Sequence, residues 1–298
     1  MQNNPAKAFG YGICAVLLWS TVASAFKLSL RHLSPIELLF YSSLTAIIIL
    51  GGILVLSGKV TLLQSYGIRK NSRSILLGLL NPLLYYLILL KAYDLLPAQE
   101  AGPINYTWGI TLALLSIPLL KQKIGAKDIV AVLIAYFGVV MISTHGNPLS
   151  LQFSDPRGVA LALVSTVIWS FYWIYSTRDK RDSLVILFLN FVGSFPLLLL
   201  VFLIWGGLRT PPIEGLLGAV YVGLIEMALA YICWLSAMKR TDNTASISIL
   251  IFFTPFLSLI FIHCFVGEQI LPSTIIGLVF IVAGLGLQKI KSRNSQSD

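Results

Sequence analysis

The sequence predicts an all-α integral membrane protein, with ten transmembrane helices arranged as two inverted five-helix repeats. Three observations carry this. Of 298 residues, 57% are hydrophobic and only 11% charged, with mean hydropathy +0.86, whereas soluble domains carry about 25% charged residues. Apolar runs close to the ~20 residues that cross a bilayer recur from end to end. Lysine and arginine concentrate in every second segment between those runs, the pattern that orients membrane helices.

The spans read as 10–30, 35–56, 74–93, 97–119, 127–144, 157–177, 184–205, 214–237, 243–264 and 271–288. Nearly every break carries proline, glycine or charge: Ser34-Pro35, Ser57-Gly58-Lys59, Leu96-Pro97, Gly146-Asn147-Pro148, Pro211-Pro212 and Leu271-Pro272. These residues stop a helix or open the next. The first span does not read as a cleavable signal peptide. Only Lys7 precedes it, Trp19 interrupts it, and no convincing small-residue cleavage site follows. The longest connection, 57–73, is short and basic and reads as a loop.

With the N-terminus inside, 16 Lys and Arg fall on cytoplasmic segments and four on the opposite side. This predicts a multi-pass protein of the cell (inner) membrane with both termini cytoplasmic. The net charge of +9 is spent on orientation, so no nucleic-acid partner is implied; the partners expected are membrane lipids and a small-molecule substrate.

The halves, 1–145 and 146–298, align weakly. Leu120–Ile124 falls on Val266–Ile270 and Ile134–Gly138 on Phe280–Gly284, an offset of 146, and Trp19-Ser20 resembles Trp169-Ser170. Five is odd, so the second half enters the membrane from the opposite face, the inverted-repeat plan common among transporters. No enzyme motif is found: no His-Glu-x-x-His, no Gly-x-Ser-x-Gly, no phosphate-cradling glycine loop. Cys14, Cys233 and Cys264 read as packing residues and the three histidines are far apart, so no metal or other cofactor is expected.

Glu226 is the only charge in 216–235. A carboxylate at that depth costs at least a few kcal/mol unless it faces protein or water. It reads either as a proton- or amine-binding group or as a structural partner of Lys27 or a backbone group. Helical spacing groups further candidates for substrate contact. Asn81, Tyr85 and Leu89 share a face in span 3, beside Pro82. Asn105 and Trp108 lie on a stripe in span 4 with Tyr106 between them, and Trp169 and Tyr172 on one in span 6; Ser246 and Phe253 belong to a face of span 9 near Pro255. Such faces make an aromatic-walled pocket with a few polar groups. The alternative for the tryptophans is core packing, and for Asn81 and Asn105 interhelical hydrogen bonding. Tyr11, Tyr93 and Trp205, near span ends, read as interface anchors.

Two halves of five spans with short loops, together with the stretch from Pro255 to Gly267-Glu268, resemble the EamA-type branch of the drug/metabolite transporter superfamily. Ile104-Asn105-Tyr106-Thr107-Trp108-Gly109 is similar to the Asn-Tyr-Leu-Trp-Pro segment of the YddG-type aromatic amino acid exporters, with Thr107 for the leucine and Gly109 for the proline. The resemblance implies a ten-helix basket around a cavity lined mainly by spans 3, 4, 8 and 9, and export of amino acids and similar metabolites. It also associates the last helix of each half with homodimer contacts; close packing within one chain is the alternative reading of Gly277, Gly284 and Gly286. The function expected is a secondary transporter exporting aromatic or large apolar amino acids by alternating access. A nucleotide sugar, polyamine or drug as substrate, or a passive channel, are the alternatives.

Overall fold

The structure, a computed structural model, describes residues 5–120, 126–149, 153–176, 179, 181–207, 210–238, 240 and 250–289. All regular structure among them is helical. The first half contains α1 (Pro5–Ser20), α2 (Val22–Ser29), α3 (Pro35–Leu56), α4 (Val60–Ser65), α5 (Gly67–Gly78), α6 (Tyr85–Leu95), α7 (Ala98–Tyr106), α8 (Trp108–Leu120) and α9 (Ala126–Ser143). The second contains α10 (Pro156–Ser176), α11 (Ser183–Trp205), α12 (Ile213–Leu224), α13 (Tyr231–Met238), α14 (Thr254–Phe261) and α15 (Pro272–Lys289). Among the described residues six continuous helical stretches are long and apolar enough to cross a bilayer, and Ile129–Ser143, Thr254–Val266 and Pro272–Leu287 are shorter apolar helices. The outer surface is correspondingly greasy, with Leu56, Leu133, Trp205 and Leu217 exposed, as a multi-pass membrane protein requires.

The helix starts follow local chemistry. Ser34 and Glu37 form a reciprocal capping box ahead of α3, with Pro35 in the first turn. Asp155 accepts from the Arg157 and Gly158 amides at the start of α10, and Asp182 from the Leu184 amide at the start of α11. The segment read as a basic loop is instead folded: α4 and the first turns of α5 occupy it. Lys59 and Asp182 pair at 2.8 Å, tying this segment to the second half.

Repetition is visible in the backbone. A wide helical turn spans Leu79–Leu84 in the first half and Ile225–Ala230 in the second, 146 residues apart. The boundaries of α9 recur at the same interval in α15. The break between α7 and α8 at Thr107 is matched by the tight turn Leu250–Phe253 before α14.

Those two terminal helices pack on each other more closely than side chains would permit. A Cβ on Gly138 would collide with the Gly277 carbonyl, and one on Gly277 would lie 2.5 Å from the Gly138 carbonyl. Gly284 meets the Ala131 carbonyl in the same way. Of the two readings of the span 10 glycines, contact within one chain accounts for Gly277 and Gly284.

At one end of the bundle the halves are joined by polar contacts. Gly267, at φ +80, ends the turn after α14 in a left-handed conformation that favours glycine. Glu268 then accepts from the Ala98 and Gln99 amides at 2.8 and 3.1 Å, capping α7. Gln99 bonds the backbone of Gln269 and Leu271 and the Thr274 hydroxyl. We call this the Glu268 end, and the opposite one the Asp182 end.

Candidate functional site

Four helix interruptions surround one cavity. Thr21 separates α1 from α2, Asn81-Pro82 sits in the first wide turn, Thr107 separates α7 from α8, and the second wide turn holds Glu226. Residues flanking these breaks, Trp19 and Val22, Tyr85, Tyr106 and Trp108, line the cavity together with Glu226 itself. The cavity between them measures about 160 Å³.

Its walls are aromatic. Five of the chain's six tryptophans line it: Trp19, Trp108, Trp169, Trp173 and Trp234. Tyr85 stacks on Trp169 with ring centroids 4.5 Å apart. Trp169 meets Trp108 and Tyr231 edge-on at 6.5 and 6.0 Å, and Tyr231 meets Trp19 at 5.9 Å. Polar atoms are few. Tyr85 donates to Asn105 Oδ1 at 3.3 Å, and Asn105 Nδ2 donates to Ser165 Oγ at 2.9 Å.

Among the described residues Glu226 is the one charged side chain in the lining, and it is 9% exposed. The Tyr86 hydroxyl donates to Oε1 at 2.8 Å and the Trp19 indole also interacts with the carboxyl, while Oε2 has no partner in full hydrogen-bond geometry. Lys27 is not its partner. The Lys27 ammonium donates instead to the carbonyls of Tyr93 and Leu96, at 2.8 and 2.7 Å, so the Glu226–Lys27 pair weighed from the sequence does not form.

Of the residues singled out from the sequence, Tyr85, Leu89, Asn105, Tyr106, Trp108, Trp169 and Glu226 line the cavity. Asn81 does not. Its backbone is extended at φ −143, ψ 120, because the ring of Pro82 disfavours the helical region for the residue before it. It therefore leaves the face shared by Tyr85 and Leu89 and is buried in the core. Tyr172 lies beside Asn190, hydroxyl to amide at 2.9 Å, and lines a second cavity of about 160 Å³ with Ser176, Asp179 and Ser183 near the Asp182 end. Trp173 and Tyr231 line both cavities. Phe253 is exposed and lies off the lining. Ser246 lies outside the described residues. Tyr93, read as an interface anchor, is buried in the cavity wall, because the helix continues past it to Leu95 and the Phe26 ring packs on it at 5.3 Å.

Sequence spacing missed Tyr231 and Trp234. Regular α-helical counting from Glu226 selects Ala230, Cys233 and Ala237. The wide turn at Ile225–Ala230 bonds i to i+5 and inserts one residue into the register. Every later position moves on by one, and Tyr231 and Trp234 enter the cavity. Trp19 had a signal, the Trp-Ser pair repeated at Trp169-Ser170.

Comparison with known proteins agrees with this architecture. A model of the EamA-like transporter family matches residues 6–144 and again 156–288. The chain belongs to the EamA-like transporter family. That is a family of membrane transporters, not of enzymes. An uncharacterized transporter of Clostridium kluyveri is 32% identical over 191 residues, which cover 58% of this chain and 59% of that protein. An uncharacterized transporter of Archaeoglobus fulgidus is 24% identical over 93% of this chain and 95% of its own length. The aromatic amino acid exporter YddG of Ancylobacter novellus is 25% identical over 78% of this chain and 79% of its own. A solved crystal structure shares the fold with a TM-score of 0.68 at 22% identity, covering 99% of this chain and all of that one.

Proposed function

We propose that this EamA-like transporter works as a secondary carrier, exporting small organic metabolites that join an aromatic or large apolar body to an amine. Aromatic and large apolar amino acids belong to this class. The observation that carries the reading is the tryptophan-walled cavity with one buried carboxylate having an unpartnered oxygen. Apolar walls with few polar groups suit such a ligand, and the YddG relative, itself named as an aromatic amino acid exporter, supports it. A nucleotide sugar fits less well, since no Lys, Arg or His lines the cavity among the described residues.

The carrier has ten spans in two inverted five-helix repeats, 1–145 and 146–298, with both termini cytoplasmic on the 16-to-4 charge bias. The Asp182 end is then cytoplasmic and the Glu268 end external. The polar contacts between the halves close the external end, and the second cavity leads from the first toward the cytoplasm. This is the arrangement of an alternating-access carrier loaded from inside.

Counterflow in proteoliposomes tests the reading. Labelled phenylalanine or leucine should accumulate transiently when the unlabelled compound is trapped opposite. A flux that rises linearly with concentration and shows no counterflow would mean a channel, and no flux for any aromatic or large apolar amine or amino acid would remove the substrate class.

A further inference from the structure

We propose that the central cavity selects organic ammonium cations with an aromatic body, and holds an aromatic monoamine more tightly than the amino acid of the same side chain. The inference rests on the transport reading above and narrows it.

Three features of the cavity point this way. First, the charge is one-sided. Among the described residues Glu226 is the only acid or base lining the cavity apart from tyrosines, and Lys27, the lysine weighed as its partner, is committed to two backbone carbonyls. An ammonium placed at Glu226 Oε2 would gain a charged partner and satisfy a buried atom that has none. Second, the walls present ring faces. Trp108, Trp169, Tyr231 and Trp19 stand edge-to-face in that order around the cavity. Alternating orientations of this kind guarantee that some π-face is turned to a ligand on each side, and desolvated π-faces attract cations. Third, a carboxylate finds no cation among the described residues of the lining. A zwitterionic amino acid must bury its own carboxylate in the same space, where the ring faces repel it and no cation balances it. Neutral donors remain in the tyrosine hydroxyls, the indole N–H groups and the second Asn105 amide proton, the first being taken by Ser165, but none of them carries a balancing charge. Removing the ligand's carboxylate therefore removes a cost and leaves both attractions in place.

The test is a binding comparison on the purified full-length protein in detergent, read by intrinsic tryptophan fluorescence. The ligands are phenylalanine, 2-phenylethylamine and its N,N,N-trimethyl derivative; the last cannot cross a membrane as a neutral base and also serves in counterflow. 2-Phenylethylamine should bind at least tenfold more tightly than phenylalanine, equivalent to about 1.4 kcal/mol, and the trimethyl compound, which has no N–H for Oε2 but keeps the charge and ring-face attractions, should also bind more tightly than phenylalanine. In Glu226→Gln the ratio should fall toward one. Should that variant fail to fold, Trp169→Leu, which removes one ring face, should reduce affinity for the trimethyl compound more than for phenylalanine. If phenylalanine binds as tightly as the amines and exchanges in liposomes, the ammonium preference is wrong and the transport reading stands. If Glu226→Gln folds and keeps the wild-type ratio, the carboxylate is not the discriminator and the inference falls. If none of the three binds or exchanges, both readings fall together.

Discussion

Glu268→Ala should open the end of the bundle that Glu268 closes. In the wild type its two oxygens accept from the Ala98 and Gln99 amides at 2.8 and 3.1 Å, at the positive end of α7. The substitution removes both bonds and leaves the chain otherwise intact. Hydrogen bonds to a charged group are worth about 1.5–3 kcal/mol each when buried. Glu268 is only half-buried, so the range for losing a helix cap, about 0.5–2 kcal/mol, is the safer guide. Taking about 2 kcal/mol as the upper end, the closed-to-open ratio should shift by up to about 30-fold. The assay is labelling of a single cysteine replacing Ser258 in the cavity wall, with the three native cysteines removed. An impermeant maleimide added to whole cells should react up to about 30-fold faster in the Glu268→Ala background. Glu268→Gln, which keeps one acceptor, should fall between. An unchanged rate in protein that still folds would mean that the capping contact does not hold this end shut.

Other positions give sharper tests of packing and charge. Arg181 and Asp179 are 8% and 7% exposed, and the Arg181 guanidinium also bonds Asn71 and Ser74; Arg181→Ala should destabilise the protein by about 3 kcal/mol, the cost of stranding a buried charge, and Asp179→Asn in that background should recover part of the loss in a detergent melting assay. Hydrogen bonding from Arg181 holds the Asp179 carboxyl below its usual value, so this contribution is complete above the unfolded carboxylate pKa of about 3.9 and disappears only as pH falls below that value and through the lowered one. Melting temperature should therefore not lose this contribution between pH 8 and about 5. Gly277→Val would drive a side chain into the Gly138 carbonyl and Ile142, costing about 1–3 kcal/mol or more by overpacking; wild-type yield and melting temperature would contradict the close contact of α9 and α15. Cys14 and Cys233 sulfurs lie 3.6 Å apart across α1 and α13, so mild oxidation should give an intramolecular crosslink, detectable by gel mobility and absent in Cys233→Ser.

Much of the fold is legible because membrane helices announce themselves by composition and their ends by proline and capping residues. Ser34-Pro35 opens α3 and Leu271-Pro272 opens α15, where sequence reasoning put the breaks. Glu226 stood out as a lone charge, and Trp108 and Trp169 as polar-flanked aromatics. What the sequence hid is any departure from 3.6 residues per turn. Nothing in Ile225–Ala230 signals a wide turn, so Tyr231 and Trp234 were counted onto the wrong face. Pro82 did announce trouble, but not that Asn81 would leave the face it shares by spacing with Tyr85. The connection 57–73 misled because its polar residues cover the exposed faces of α4 and α5, and a polar helix face reads like a loop.

The two wide turns have a consequence for how work is divided between the halves. They occupy matching places, but where the second carries Glu226 the first carries Leu80, and Asn81 stands where the second has Met227. A duplicated scaffold has kept its backbone and let one copy alone acquire the charge. The molecule is thus symmetric in mechanics and lopsided in chemistry. In the proposed carrier cycle, cargo docked on that carboxylate would be fastened to the second half, and the Tyr86 hydroxyl of the first half is the contact that must give way as the halves rock. Attempts to change selectivity should therefore begin at Leu89, Asn105 and Trp108, which line the cavity without bonding Glu226, and should leave in place Tyr86, whose hydroxyl donates to it.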